Sequence, residues 1–332
     1  MDTITDFQKM VQIAKMYYNE GYTQEKIAKE FSIARSAVSV LLAEARNVGI
    51  VTIHIKDAFT NDEQLADALE ERFGLDKCIV VPINTGNSDL LLKIVASQAA
   101  LFASKIIFSH SSVGMAWGSA CYQFMSAFPE DTGLYNISVV PLIGGSPLLS
   151  QEFQLNESVK GFAEKLGGTP VSIHFPGLVP SLDDKKRIME TTYMQSIIEK
   201  WKSLDFAVLG IGRCPENYTG DNYLYDQVAY DMNRALEFLD RHPNNVIGDL
   251  CGRRFNIKGE VLRCEHNKRL IGIDEFGLMN VKRVLAIACG VHKVLPAIGA
   301  LRTKLIHNFI TDENTAKQML QVADSENLLK IK

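Results

Sequence analysis

The stretch TQEKIAKEFSIARSAVSVLLAEARNVGIV, from Thr23 to Val51, decides how this 332-residue chain is read. It has the punctuation of two short helices around a tight turn. Thr23 can cap the first helix, and Glu25 in its first turn suits the helix dipole. That helix runs to about Phe31, and Ser32 and Ile33 make the turn. The next helix runs from about Ala34 to Asn47 and ends at Gly49. Upstream, Phe7, Met10, Val11, Ile13, Ala14 and Tyr17 recur at helical spacing, so a further helix precedes the pair and ends at Gly21. Downstream, IVTIHI alternates apolar and polar residues and reads as a short strand or wing.

Two helices that cross closely need a small residue at the crossing and apolar residues where the second packs back. Ala28 is the small one, and Val38 and Leu41 supply the packing. The pattern leaves Arg35, Ser36 and Ser39 on the open face near the start of the second helix, the end that reaches base edges in a major groove. Arg can bond guanine in bidentate fashion, and Ser can serve a base or a phosphate. Gln24 is placed to contact the DNA backbone. Val40 offers at most a methyl contact. The alternative is a small helical bundle used for dimerisation. Residues 1–60 hold seven Lys or Arg and seven Asp or Glu, so the segment is net neutral. Affinity for DNA rises with charged phosphate contacts, so a neutral reader needs oligomerisation to multiply its contacts.

The whole chain carries a formal charge of −4, which excludes a histone-like binder but not a local reading surface. Its 46% hydrophobic content is that of an ordinary globular protein, and its length suits about two domains. Cys78, Cys121, Cys214, Cys251, Cys264 and Cys289 are scattered without metal or redox spacing and read as reduced thiols. The acidic, polar N-terminus does not resemble a secretory signal, and no apolar run reaches the ~18 residues of a membrane helix. The expectation is a cytoplasmic protein without membrane contact.

These patterns divide the chain into a DNA-binding domain over 1–56, a polar linker over 57–61 and a larger domain over 62–332. In the larger part, the apolar runs CIVVPI, YNISVVPLI, PVSIHF, FAVLGIG and VLAIA read as strands. Between them, LLKIVASQAALFASKII, EFQLNESVKGFAEKLG, KRIMETTYMQSIIEKW and ENTAKQMLQVA have helical length. The alternation predicts an α/β domain with a mainly parallel sheet covered on both faces.

Three glycine-containing loops follow predicted strands. In SVGMAWGSACYQF a helix opens at about Ser119 after Gly118, and backbone N–H groups there favour a phosphate. It is neither a phosphate-binding loop of the lysine-containing kind nor a dinucleotide fingerprint. PLIGGSP supplies Gly144, Gly145 and Ser146, and LGIGRCPENYTG is the third. Ligands of parallel sheets sit off the carboxyl ends of strands, so all three loops can line one crevice. Lys293 can neutralise a phosphate and Asp249 can accept bonds from sugar hydroxyls. Each of the two is equally a surface salt-bridge residue by pattern. His174, His266 and His292 are isolated, so no metal, and no other cofactor, is expected.

Taken together, MVQIAKMYYNEGYTQEKIAKEFSIARSAVSVLLAEARNVGIVTI, VGMAWGS, GDLCGRRFNIKG with RLIGI, and VLAIACGVHKVLPAIGALRTKLIHNFITDENTA resemble the SorC/DeoR-type bacterial sugar-binding transcriptional regulators. The segments occur in the right order over most of the chain. The resemblance implies an N-terminal helix-turn-helix and a C-terminal effector domain similar to sugar-phosphate isomerases and deaminases. It implies a phosphorylated sugar as effector, operator DNA as partner, and dimers or tetramers. It places Gly118, Ser119 and Ala120 in a phosphate loop, Gly144, Gly145 and Ser146 in a second loop, and Lys293 and Asp249 on the ligand. Where some members carry a ligand-binding Lys or Arg before the Gly-Gly pair, this chain has Ile143, and where they often have Arg on the reading helix it has Val40. A ligand-responsive regulator is therefore the expected function, with no catalytic residue. A sugar-phosphate isomerase or deaminase with an accessory front domain is the alternative, with Asp249 and Lys293 as its acid–base pair.

Overall fold

Ile13, Ile27, Val38, Leu42 and Ala45 are buried together as the centre of a small helical unit. The structure, a computed structural model, describes residues 3–51, 61–130, 132–146, 154–213 and 246–329. The chain divides into two compact units, Met1–Lys56 and Asp57–Lys332.

The first unit holds α1 (Thr3–Tyr18), α2 (Gln24–Glu30) and α3 (Arg35–Asn47). Thr23 caps α2, its hydroxyl accepting the Lys26 N–H at 3.2 Å. Ser32 makes the turn in the left-handed region at φ 51°, a conformation that glycine adopts more readily. Ala28 is buried at the crossing. The expected packing pair is corrected in one member: Leu42 is buried, while Leu41 is partly buried at the rim of the cluster. Phe7 is 53% exposed and lies outside the buried cluster that Met10 joins. Only Ile50 and Val51 of the expected wing, and only Asn61 of the expected linker, lie among the described residues.

The second unit is built on a sheet ordered β1-β9-β8-β5-β2-β3-β4, every neighbouring pair parallel. The strands are β1 (Lys77–Val81), β2 (Ser112–Met115), β3 (Ser138–Pro141), β4 (Thr169–Pro170), β5 (Phe206–Arg213), β8 (Arg283–Ile287) and β9 (Asn308–Asp312). β6 (Gly248–Leu250) and β7 (Arg253–Phe255) form an antiparallel hairpin on the distal half of β5. All five residues of β9 are buried, as are four of five in β8, which places both sheet faces under cover.

Several elements depart from the sequence reading for identifiable reasons. A helix α4 (Glu63–Phe73) follows the expected linker, capped by Asp62 and closed at Gly74 with φ 70°. KRIMETTYMQSIIEKW is two helices, α8 (Leu182–Met189) and α9 (Thr192–Lys202). Thr191 between them is extended, and its hydroxyl caps α9 by accepting the Met194 N–H. Of PVSIHF only Pro170 belongs to a strand; beyond it the Asn156 amide takes both the N–H and the C=O of Ile173, where a ladder partner would sit. The remaining helices that bear on the site are α5 (Ser88–Ser104), α6 (Ser119–Ala127), α7 (Leu155–Lys165) and two near the C-terminus. The last two are Val294–Arg302, entered through a 3₁₀ turn at Val291–Lys293, and Glu313–Leu329.

Candidate functional site

The carboxyl ends of β1, β2, β5, β8 and β9 open into one cavity of about 750 Å³. Parallel strands all point their carboxyl ends the same way, so the loops that leave them converge. Gly118, Ser119 and Ala120 line it at the start of α6, Gly210 and Gly212 line it on β5, and Asp249 and Lys293 complete it.

The backbone at Gly118 is held at φ 105°, and a Cβ there would meet nothing within 4 Å. The chain can therefore turn sharply and still leave the first N–H groups of α6 bare, since no side chain caps this helix. The start of α5 also lines the cavity through Ser88 and Asp89. The uncapped start of α6 suits an anion through its N–H groups and the helix dipole, whereas Asn87 caps α5 by accepting the Leu90 N–H at 3.0 Å and Asp89 adds a negative charge there.

Lys293 enters from the turn after β8. Its Nζ donates to the Ile211 carbonyl at 2.6 Å. Burial holds its pKa below the usual lysine range, against the attraction of Asp249. Asp249 is shifted the other way: burial raises its pKa, opposed by the Gly252 N–H, which it accepts at 2.9 Å, and by the charge of Lys293. Its carboxylate lies across β5, where a Cβ on Gly212 would fall 1.8 Å from Oδ1. Glycine at 212 is thus what lets Asp249 occupy this wall. Cys289 also lines the cavity, and burial pushes its thiol up to about 12, so it is protonated and inert.

Gly290, at φ 89°, is the hinge of the turn that carries Lys293. Its N–H donates to Asp312 Oδ2 at 2.8 Å, and the same carboxylate accepts the N–H and hydroxyl of Thr315. Asp312 is 1% exposed and ends β9. Asp312 escaped the sequence reading, because β9 carries buried polar residues and lacks an apolar run. Asn84 to Gly86, the polar turn after β1, and Trp117 also line the cavity. The signal for that turn was present in PINTGNSD, a Gly-containing turn after an apolar run.

Gly144, Gly145 and Ser146 require a correction of place: they do not line the cavity. After β3 the chain is clamped between two backbone segments. Gly144 N–H donates to the Ile271 carbonyl and Gly145 N–H to the Phe175 carbonyl, both at 2.9 Å. A Cβ on Gly144 would stand 2.5 Å from the Phe175 oxygen, so Gly144 serves close packing, while a Cβ on Gly145 would meet nothing nearer than 4.0 Å. Ile143 is fully buried beside them. Of the third loop, Leu209–Arg213 are described and the residues beyond 213 lie outside the described residues. Among the described residues, no three His, Cys, Asp or Glu side chains are grouped to hold a metal, and no helix is long and apolar enough to cross a membrane.

In the first unit, Arg35, Ser36 and Ser39 are exposed at the start of α3, and Gln24 is half-buried at the start of α2. Ala34 precedes α3 without a side-chain cap, so its first N–H groups are open. Val40 is 63% exposed on the same helix.

Residues 57–321 match the family described as "Putative sugar-binding domain". The chain belongs to this family. It is 28% identical to the sorbitol operon regulator of Klebsiella pneumoniae, covering 97% of this chain and all of that one. It is 27% identical to the deoxyribonucleoside regulator of Bacillus subtilis, over 94% and 97% of the two chains. The crystal structure of the full-length Klebsiella pneumoniae sorbitol operon regulator SorC superposes with a TM-score of 0.68 at 27% identity, covering 96% of this chain and 99% of that one. The protein is therefore a SorC/DeoR-type transcriptional regulator, and the isomerase or deaminase alternative gives way. The cavity lies within the matched region.

The raised pKa of Asp249 has a signed consequence for stability. The unfolded chain loses this proton near the ordinary value of 3.8, while the folded chain keeps it to higher pH. Stability therefore falls as pH rises through that window and levels off above the folded value. Asp249→Asn is expected to abolish that fall and to leave the second unit at least as stable as wild type at neutral pH. Denaturant unfolding from pH 4 to 7 checks this; identical pH profiles for the two proteins would refute it.

Proposed function

We propose that the protein regulates a carbohydrate-utilisation operon, with operator DNA read by the first unit and a phosphorylated sugar held in the cavity of the second. The observation that carries the effector reading is the cavity itself. Uncapped N–H groups at the start of α6 and the half-buried Lys293 line the same space as Asp249. The first two suit a phosphate, and a carboxylate suits sugar hydroxyls. The names of the sorbitol operon and deoxyribonucleoside regulators accord with a carbohydrate-derived ligand. The exposed Arg35, Ser36 and Ser39 on an uncapped α3 support the DNA reading. Neutral charge over residues 1–60 supports a homo-oligomer, a dimer or tetramer, in which several readers act together. Such a regulator works in the cytoplasm, where its DNA and phosphorylated metabolites are found.

A thermal-shift screen against phosphorylated sugars tests the effector site. Occupancy at 100 times Kd should add about 2.7 kcal/mol. Lys293→Ala is expected to weaken the phosphorylated sugar by about 1.5–3 kcal/mol, the worth of a hydrogen bond to a charged group, and to leave DNA affinity unchanged. Equal ligand affinity in mutant and wild type would remove Lys293 from the site.

Arg35→Ala is expected to lose about 1–3 kcal/mol of preference for operator over random DNA, without change in fold or oligomer. Competition gel-shift measurements check this, and an unaltered preference would end the role given to Arg35.

A further inference from the structure

We propose that Trp117 is the specificity-determining wall of the cavity, the surface on which the carbon face of the sugar rests while its phosphate lies at the start of α6. The inference rests on the sugar-phosphate reading of the cavity and goes beyond it by assigning the residue that measures the sugar. Trp117 directly precedes Gly118, so the indole is the next surface a ligand meets after the N–H groups of α6. It is half-buried and borders the cavity. Apart from His292 it is the one aromatic residue among the described lining residues. Sugars present polar hydroxyls around an apolar carbon skeleton, and pockets of this kind combine a few polar groups with aromatic surface. Here Asp249 and Lys293 supply polar groups, and Trp117 supplies the aromatic surface.

The wall is fixed from behind. A Cβ on Gly177 would stand 3.1 Å from Cη2 of the indole, so the far edge of the ring rests on bare backbone. That backbone cannot yield. Gly177 N–H donates to the Gly145 carbonyl at 2.6 Å, and the Gly177 carbonyl accepts the Ile271 N–H at 2.8 Å. A Cβ on Gly177 would also lie 2.9 Å from the Gly144 oxygen. The Gly144–Gly145 segment thereby gains a role: it is the backstop of the wall rather than a ligand loop. An indole that cannot retreat sets how large a sugar fits beyond the phosphate.

The chain has two tryptophans, and the other, Trp201, is buried with its Nε1–H donating to the Pro141 carbonyl at 2.8 Å. Ligand-dependent emission therefore reports on Trp117. The probes are glucose 6-phosphate, fructose 6-phosphate, ribose 5-phosphate, glycerol 3-phosphate and inorganic phosphate, added to the full chain. The sugar phosphate that most raises the melting temperature is expected to shift wild-type emission, and Trp117→Phe is expected to abolish the shift while keeping affinity within about threefold. Trp117→Ala should weaken that sugar phosphate by about tenfold or more, a loss of about 1.4 kcal/mol, with inorganic phosphate held within twofold. A sugar phosphate that binds wild type without any emission change, or that binds Trp117→Ala as tightly as wild type, overturns the inference and leaves the cavity reading intact. No melting shift with any sugar phosphate in wild type overturns the cavity reading and this inference with it.

Discussion

The pairing of β9 between β1 and β8 is the constraint on which the second unit depends. It joins Lys77–Val81 to Asn308–Asp312, segments more than two hundred residues apart, in one parallel ladder. Parallel strands cannot be joined by a tight turn, so each must be followed by a crossover, and every crossover leaves from the same edge. That geometry gathers the loops after five strands around one space. It also brings Asp312 to the edge, where its carboxylate holds the Gly290 turn and thus the approach of Lys293.

The cavity holds two charged residues that burial pushes toward their neutral forms. Lys293 is partly desolvated, with a backbone carbonyl and a nearby carboxylate as compensation. Asp249 is shifted toward its neutral form by the same burial. In the proposed placement a phosphate would offer Lys293 a stronger partner than the Ile211 carbonyl and would meet the bare N–H groups of α6. A ligand of the proposed class would therefore relieve the stress on Lys293, though not that on Asp249. An uncharged sugar would bring no such relief.

Legibility in the sequence followed how local the signal was. The helix pair of the first unit could be read because Thr23, Ala28 and Val38 act within thirty residues of one another. β5 and β8 could be read because buried parallel strands are continuous apolar runs. β9 escaped, since Asn308, Thr311 and Asp312 look like a polar connection until their buried partners are known. Gly118–Ala120, Asp249 and Lys293 line one cavity. Gly144 and Gly145 lie outside that lining, and at Gly144 glycine allows a close approach of backbone to backbone rather than of backbone to ligand. Trp117 stood inside a quoted motif, but its part in the cavity depends on Gly177, sixty residues away.

The proposed function requires that occupancy of the cavity change the affinity of the first unit for DNA. A ligand switches nothing unless it binds the DNA-competent and DNA-incompetent states with different affinity. The direct measurement is the operator affinity of the full chain with and without a saturating phosphorylated sugar that binds it. A change of about 5–150-fold is expected, a coupling of ~1–3 kcal/mol. An operator affinity that is the same in both conditions would contradict it.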